Sequence, residues 1–256
     1  MKATLTVLGS GTSMGVPTIG CDCAVCHSSD PRDHRSRPSI LIEYNGNVVL
    51  IDTTPDFREQ ALRENIRKVD AVLYTHAHAD HVLGLDDLRP LSYHRPNKIP
   101  LYARADHAAV IRSMFSYAFD AVYNFGGLPQ VELKPLEGAV DLFGLTFQPI
   151  PVVHGDAEVW GFRFGSAAYL TDFSQIPETS FEKLRDLDIV FLDALRHKPH
   201  PTHSTVENSL EIAGRLQAKR TFFTHICHDL PHEETNRNLP PQVQLAYDGL
   251  KLEFEV

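Results

Sequence analysis

No stretch of these 256 residues approaches the roughly 20 consecutive apolar side chains that a helix needs to cross a bilayer. The segment Met1-Lys2-Ala3-Thr4-Leu5-Thr6-Val7-Leu8 lacks the long apolar core of a secretory leader and runs straight into a glycine-rich turn. The first strand of a cytoplasmic protein is expected there. Repeats, low-complexity tracts and a linker long enough to divide the chain are also missing, so one domain over residues 1–256 is expected. Positive charge is in deficit: 24 Lys and Arg face 33 Asp and Glu, a formal net charge of −9. Such a surface repels a large polyanion, which argues against nucleic acid as a partner. Cysteine is scarce, with four in all. Three of them, Cys21, Cys23 and Cys26, lie too close together to form a useful disulfide framework. Reduced thiols spaced C-x-C-x-x-C favour metal binding.

What is present reads first as strands and turns. Residues 5–8, 39–43 and 48–52 are predicted strands, the last two joined by the hairpin signal Asn45-Gly46. A helix is predicted over 57–66, with Asp56 as its N-cap, and another over 106–115. The run Ala71-Val72-Leu73-Tyr74 has the length of a buried strand, and a helical turn carrying Leu83, Leu85 and Leu88 follows it. Further strands are predicted over 99–103, 140–142, 145–151, 160–164, 167–170, 189–192, 220–224, 243–246 and 250–256. A last helix is predicted over 205–216, with Ser204 as cap. Alone, this pattern gives only mixed α and β.

Thr75 leads out of the strand into His76-Ala77-His78-Ala79-Asp80-His81, three imidazoles and a carboxylate in six positions. A strand end that delivers several ligands into a loop builds a site on a rigid element. Imidazoles and carboxylates suit Zn²⁺, Mn²⁺ or Fe²⁺ alike. The pattern His-x-His-x-Asp-His resembles the signature of the metallo-β-lactamase superfamily, and the chain is similar to that family over nearly its whole length. The resemblance implies a four-layer αββα sandwich of the α+β class and a dinuclear metallohydrolase. It further implies that His76, His78 and His154 hold one divalent metal, that Asp80, His81 and His225 hold the other, and that Asp172 bridges them. His154, Asp172 and His225 each follow a predicted strand. Asp52, which ends its own strand, is expected to accept a hydrogen bond from one ligand. Two cations roughly 3.5–4 Å apart lower the pKa of a shared water toward neutrality, so hydrolysis needs no Ser or Cys nucleophile.

Gly15-Val16-Pro17, Gly20-Cys21 and Thr224-His225-Ile226-Cys227-His228 resemble a narrower group, the PhnP-like phosphodiesterases that accompany the carbon–phosphorus lyase. That resemblance implies a structural Zn²⁺ on Cys21, Cys23, Cys26 and His228. His203, in His203-Ser204-Thr205, is similar to a histidine that faces the metals in phosphodiesterase branches, where it stabilises the phosphate or protonates the leaving oxygen. With Asp80, it is the residue expected to act in catalysis itself. His200 and His197 are weaker candidates. The turn from Gly9 to Gly15 is a candidate source of N–H groups for phosphate, and Arg35 and Arg37 are either anion contacts or exposed surface charges. The implied substrate is a small, cyclic phosphodiester such as 5-phosphoribosyl 1,2-cyclic phosphate of phosphonate metabolism. Segments 53–67 and 86–130 match no pattern of that group and leave the substrate open. A transfer-RNA 3′-processing nuclease, a thioester hydrolase and a part in pyrroloquinoline-quinone maturation are the alternatives. A homodimer is compatible with the sequence; membrane partners are not expected.

Overall fold

The strands carry apolar side chains on both faces, and that pattern sets the layers. In the computed structural model, which describes residues 2–93, 95–119 and 127–256, the strands run in chain order as follows. They are β1 (Lys2–Gly9), β2 (Ser39–Tyr44), β3 (Asn47–Ile51), β4 (Ala71–Leu73), β5 (Ile99–Arg104), β6 (Val131–Leu136) and β7 (Val140–Leu142), then β8 (Leu145–His154), β9 (Ala157–Phe164), β10 (Ala167–Leu170), β11 (Ile189–Asp193), β12 (Arg220–Thr224), β13 (Val243–Leu245) and β14 (Lys251–Glu255). Among the described residues they form two seven-stranded sheets, ordered β14-β1-β2-β3-β4-β5-β6 and β13-β12-β11-β10-β9-β8-β7.

Leu5, Val7, Ile40, Ile42, Val49 and Ile51 of the first sheet meet Phe147, Phe162, Phe164, Tyr169 and Phe191 of the second in one shared core. The alternate residues Leu41, Val48 and Leu50 turn outward to Phe57, Leu85 and Ile111, which helical segments supply. On the far side Val190, Leu192 and Phe223 pack against Ile212 and Leu216 of the helix Val206–Leu216. The result is the αββα sandwich, and its doubly covered sheets explain why the strands read as near-continuous hydrophobic runs.

The local expectations hold at the hairpin turns and fail at two caps. β2 and β3 pair with Tyr44 opposite Asn47, and β9 pairs with β10 across Gly165-Ser166. Asp56 does not cap the helix Phe57–Arg63 with its side chain; its carboxylate is taken by the backbone N–H and guanidinium of Arg37. Thr205, not Ser204, caps the helix Val206–Leu216, accepting from the Asn208 N–H at 3.1 Å. Ser204 is buried beside Ser209 instead, 2.7 Å hydroxyl to hydroxyl. Residues 94 and 120–126 of the unmatched 86–130 segment lie outside the described residues. No described helix is long and apolar enough to cross a membrane.

Parallel pairing runs from β3 through β6 and from β10 through β13. The carboxyl ends of β3, β4, β10, β11 and β12 therefore deliver the polar residues that follow them to one rim of the sandwich.

Candidate metal centres

Three of the residues at these strand ends, Asp52, Asp172 and His225, have φ of +66°, +56° and +59°. Side chains bearing a Cβ rarely adopt that region, so the backbone is bent sharply where each strand enters the site. The bends bring the distant segments together. One set of ligand atoms comes from His76, His78 and His154, and a second from Asp80, His81, Asp172 and His225; within each set they lie within 4.8 Å of one another. These are the seven residues singled out in the sequence, in the same two groups, with Asp172 also within reach of His154 and His203.

In the second set, His81 Nε2 stands 3.2 Å from Asp172 Oδ2 and 3.3 Å from Asp80 Oδ2. His225 Nε2 stands 3.2 Å from Asp172 Oδ1 and 3.7 Å from Asp80 Oδ2. Both nitrogens are sealed from solvent and neither has a hydrogen-bond partner of acceptable geometry. Buried polar atoms are ordinarily paired. Imidazole nitrogens aimed with two carboxylates at one point are what a divalent cation would satisfy, so the donor set fits a metal.

The electrostatics of the protein without its cations point the same way. Burial opposes charge on His81, yet the Asp172, Asp80 and Asp52 carboxylates hold it well above the ordinary imidazole range. Burial opposes His225 too, but Asp172 and Asp80 push it up to about 9. In return, and again against burial, the two imidazoles hold Asp80 and Asp172 below the usual carboxylate range. The carboxylates thus favour positive charge at the place a cation would take. In the first set burial keeps His76 and His154 neutral, the form in which imidazole binds metal.

The supporting contacts fix which nitrogen faces inward. Asp52 is fully buried; its Oδ2 lies 2.7 Å from His81 Nδ1, and it accepts from the Thr75 N–H and hydroxyl, each at 2.8 Å. His154 Nδ1 donates to the Thr202 carbonyl at 2.8 Å. In both rings Nε2 is left for the site.

His203 lies at the same rim, its ring stacked 4.5 Å from that of His225 and set edge-on, 4.8 Å away, to that of His154. Its Nδ1 lies 2.7 Å from Oδ2 of Asp193, which also accepts from the Phe173 N–H. Asp193 was not foreseen, although the signal existed: like Asp52, it is a carboxylate ending a buried strand. His107 was missed as well; it lines a cavity of about 550 Å³ with His76, His78 and His154, and an isolated His beginning a surface helix gives no warning in the sequence. A larger cavity, about 640 Å³, opens beside Tyr44, Asn47 and Arg67 and holds none of these donors.

Four expectations are corrected. Arg35 is neither an anion contact nor a surface charge: it is buried, and its guanidinium donates to Asp33 and to the carbonyls of Cys227 and Leu230. Arg37 is spent on Asp56 and the Ser13 carbonyl. His197 pairs with Glu207. In the glycine turn four N–H groups are already taken, those of Ser10 by Asp248, Gly11 by Ser36, Thr12 by Ile226 and Gly15 by Thr12. Gly9 is needed for packing, since a Cβ there would lie 1.9 Å from the Arg37 carbonyl.

The second cluster draws the cysteine loop onto His228. His228 Nδ1 lies 3.2 Å from Cys21 Sγ, 3.7 Å from Cys23 Sγ and 3.5 Å from Cys26 Sγ. One ring nitrogen cannot bond all three sulfurs, whereas four such donors around one point suit tetrahedral zinc. Cys23 accepts the Cys26 N–H, which lowers its thiol pKa and favours the thiolate; burial raises that of Cys26 to about 11. Cys23→Ser is expected to lower zinc per chain and the melting temperature together, because structural zinc contributes folding free energy directly. Each kcal/mol lost corresponds to about 2–4 °C in a chain of this size. Unchanged zinc by elemental analysis would remove Cys23 from the set.

Residues 47–226 match the model of the beta-lactamase superfamily domain, a span that holds all seven donors but neither the cysteine loop nor His228. A crystal structure described as a new diphosphatase from the PhnP family is 64% identical, with a TM-score of 0.94, over 99% of this chain and 98% of that one. Zn²⁺-bound PqqB from Methylobacterium extorquens shares the fold at 21% identity and a TM-score of 0.79, over 97% and 99% of the two chains. A curated octanoyltransferase of Porphyromonas gingivalis (strain ATCC BAA-308 / W83) is 39% identical over 251 residues. That alignment takes in 96% of this chain and 50% of the relative, so the chain spans about half of that protein's length.

Proposed function

The chain belongs to the β-lactamase superfamily, and we propose that within it the protein is a metal-dependent phosphodiesterase acting on a small, cyclic phosphodiester of the ribosyl phosphate kind. The observation that carries this reading is the Asp193–His203 pair set against the ligand cluster, Nδ1 to Oδ2 at 2.7 Å with the His203 ring stacked on His225. A diphosphatase of the PhnP family at 64% identity supports the reaction class.

When bound, two divalent cations supply an activated water at neutral pH and neutralise charge on the phosphoryl oxygens. The chain's own residues do the rest. Asp52 and the Thr202 carbonyl hold His81 and His154 by their Nδ1 atoms. Asp193 holds His203 by Nδ1 and orients the ring, which leaves Nε2 to give a proton to the departing alkoxide oxygen. Because that group is an alkoxide, a poor leaving group, the proton matters. The net charge of −9 disfavours a long nucleic acid as the natural substrate. Turnover of cyclic and linear phosphodiesters and of diphosphates, with Zn²⁺ or Mn²⁺ added to the stripped protein, is the test. Metal-dependent cleavage of a cyclic ribosyl phosphate above the other substrates is expected. Hydrolysis of thioesters but of no phosphate ester would overturn the proposal.

A further inference from the structure

His200 sits one residue beyond Pro199 and one before Pro201, so the backbone on both sides is restricted before any side chain is placed. Its ring lies 5.1 Å from that of His203, centroid to centroid, and is half-buried. The two rings have opposite partners. His203 Nδ1 meets a carboxylate oxygen, which can only accept, so that nitrogen carries a hydrogen. His200 Nδ1 meets the Thr202 N–H at 3.3 Å and the Thr202 hydroxyl at 3.1 Å. A backbone N–H can only donate, so this Nδ1 must accept, and the ring hydrogen then belongs on Nε2. Protonating the ring would set two N–H groups against each other. Burial, the neighbouring His203 and Arg196 also disfavour the cation. Among the described residues Nε2 takes no protein partner, and it is not sealed from solvent.

We propose that His200 is a substrate-contacting residue, a neutral imidazole whose Nε2–H donates to a non-bridging phosphoryl oxygen beside the proton donor His203. The inference rests on the phosphodiesterase reading for its ligand and on the Thr202 contacts for its chemistry. One loop thus offers two histidines with different tasks: His203 exchanges a proton, and His200 holds the phosphoryl group without titrating. Thr202 sets both, since its N–H fixes His200 and its carbonyl fixes His154.

The test uses the zinc-loaded protein with His200→Ala and His200→Gln, whose amide N–H₂ replaces the donor. His200→Ala should lower kcat/KM about 10- to 100-fold, the worth of a hydrogen bond to a charged group. The loss should be equal on bis(p-nitrophenyl) phosphate and on an alkyl phosphodiester, and His200→Gln should recover most of it. In ¹⁵N-histidine-labelled protein, the signals absent from His200→Gln should be those of a neutral Nε2–H ring at pH 7. Wild-type kinetics in His200→Ala, a loss confined to the alkyl ester, or a cationic or Nδ1–H ring would each overturn the proposal. A wild-type protein inert on every phosphodiester would instead defeat the parent reading, and the ring signals would still decide the donor assignment.

Discussion

Asp80→Ala and His81→Ala are expected to leave no phosphodiester turnover above background and to bind one cation fewer per chain. Asp80 is the cleaner of the two. It stands on the short helix Ala79–Val82 at the rim of the sandwich, outside the apolar clusters that hold the sheets together. Its carboxylate faces His81 Nε2 at 3.3 Å and His225 Nε2 at 3.7 Å. Without it, His81 and His225 share Asp172 alone, and a divalent cation loses one of its two carboxylate donors. His81→Ala removes a ligand and also strands the buried Asp52 carboxylate, so it should cost stability as well as metal. Metal content by mass spectrometry, circular dichroism and turnover at saturating Zn²⁺ separate these effects. Wild-type turnover at matched metal occupancy in either variant would show that the reaction takes place elsewhere.

The second large effect falls on His203. His203→Ala should keep its metals, because no expected ligand is lost, and should slow departure of the leaving group. General acid catalysis is typically worth about 10²–10⁴-fold. A ribose alkoxide needs the proton, whereas nitrophenolate departs readily as an anion. The variant should therefore lose far more activity on a cyclic ribosyl phosphodiester than on bis(p-nitrophenyl) phosphate. Asp193→Asn should behave alike, since an amide no longer holds and orients the ring at Nδ1 as the carboxylate does. Equal losses on both substrates would assign His203 to phosphate binding, and no loss on either would leave it a bystander.

Much of this was legible because the site is built where strands stop. His76 to His81, His154, Asp172 and His225 each follow an apolar run, and an apolar run betrays its own end. The layers were legible only through resemblance, since alternation shows which residues are buried but not that the two sheets face each other. Partners across the fold were the part that stayed hidden. Asp193 ends a buried strand as Asp52 does, but its partner His203 shows only once folding sets them 2.7 Å apart. Arg35 reads as surface charge because its acceptors, the carbonyls of Cys227 and Leu230, lie nearly 200 positions away, at separations of 192 and 195. Asp56 and Ser204 carry the right chemistry for caps, but stronger partners claimed them: Arg37 took one carboxylate, and Ser209 with Asn208 took the other hydroxyl.

The exit from β12 carries a consequence for how the molecule is made. His225 and His228 both leave that strand, and each completes a cluster whose other members were laid down long before. Cys26 precedes His228 by 202 positions, so at about 5–20 residues per second roughly 10–40 s of synthesis separate them. During that interval the nascent chain displays three thiols and most of an imidazole-rich cluster without the residues that close them. Thiolates left open in this way suit soft ions such as Cu(I) as readily as zinc. Closure of both clusters thus waits until late in translation, when one short segment emerges and supplies the last donor of each almost at once.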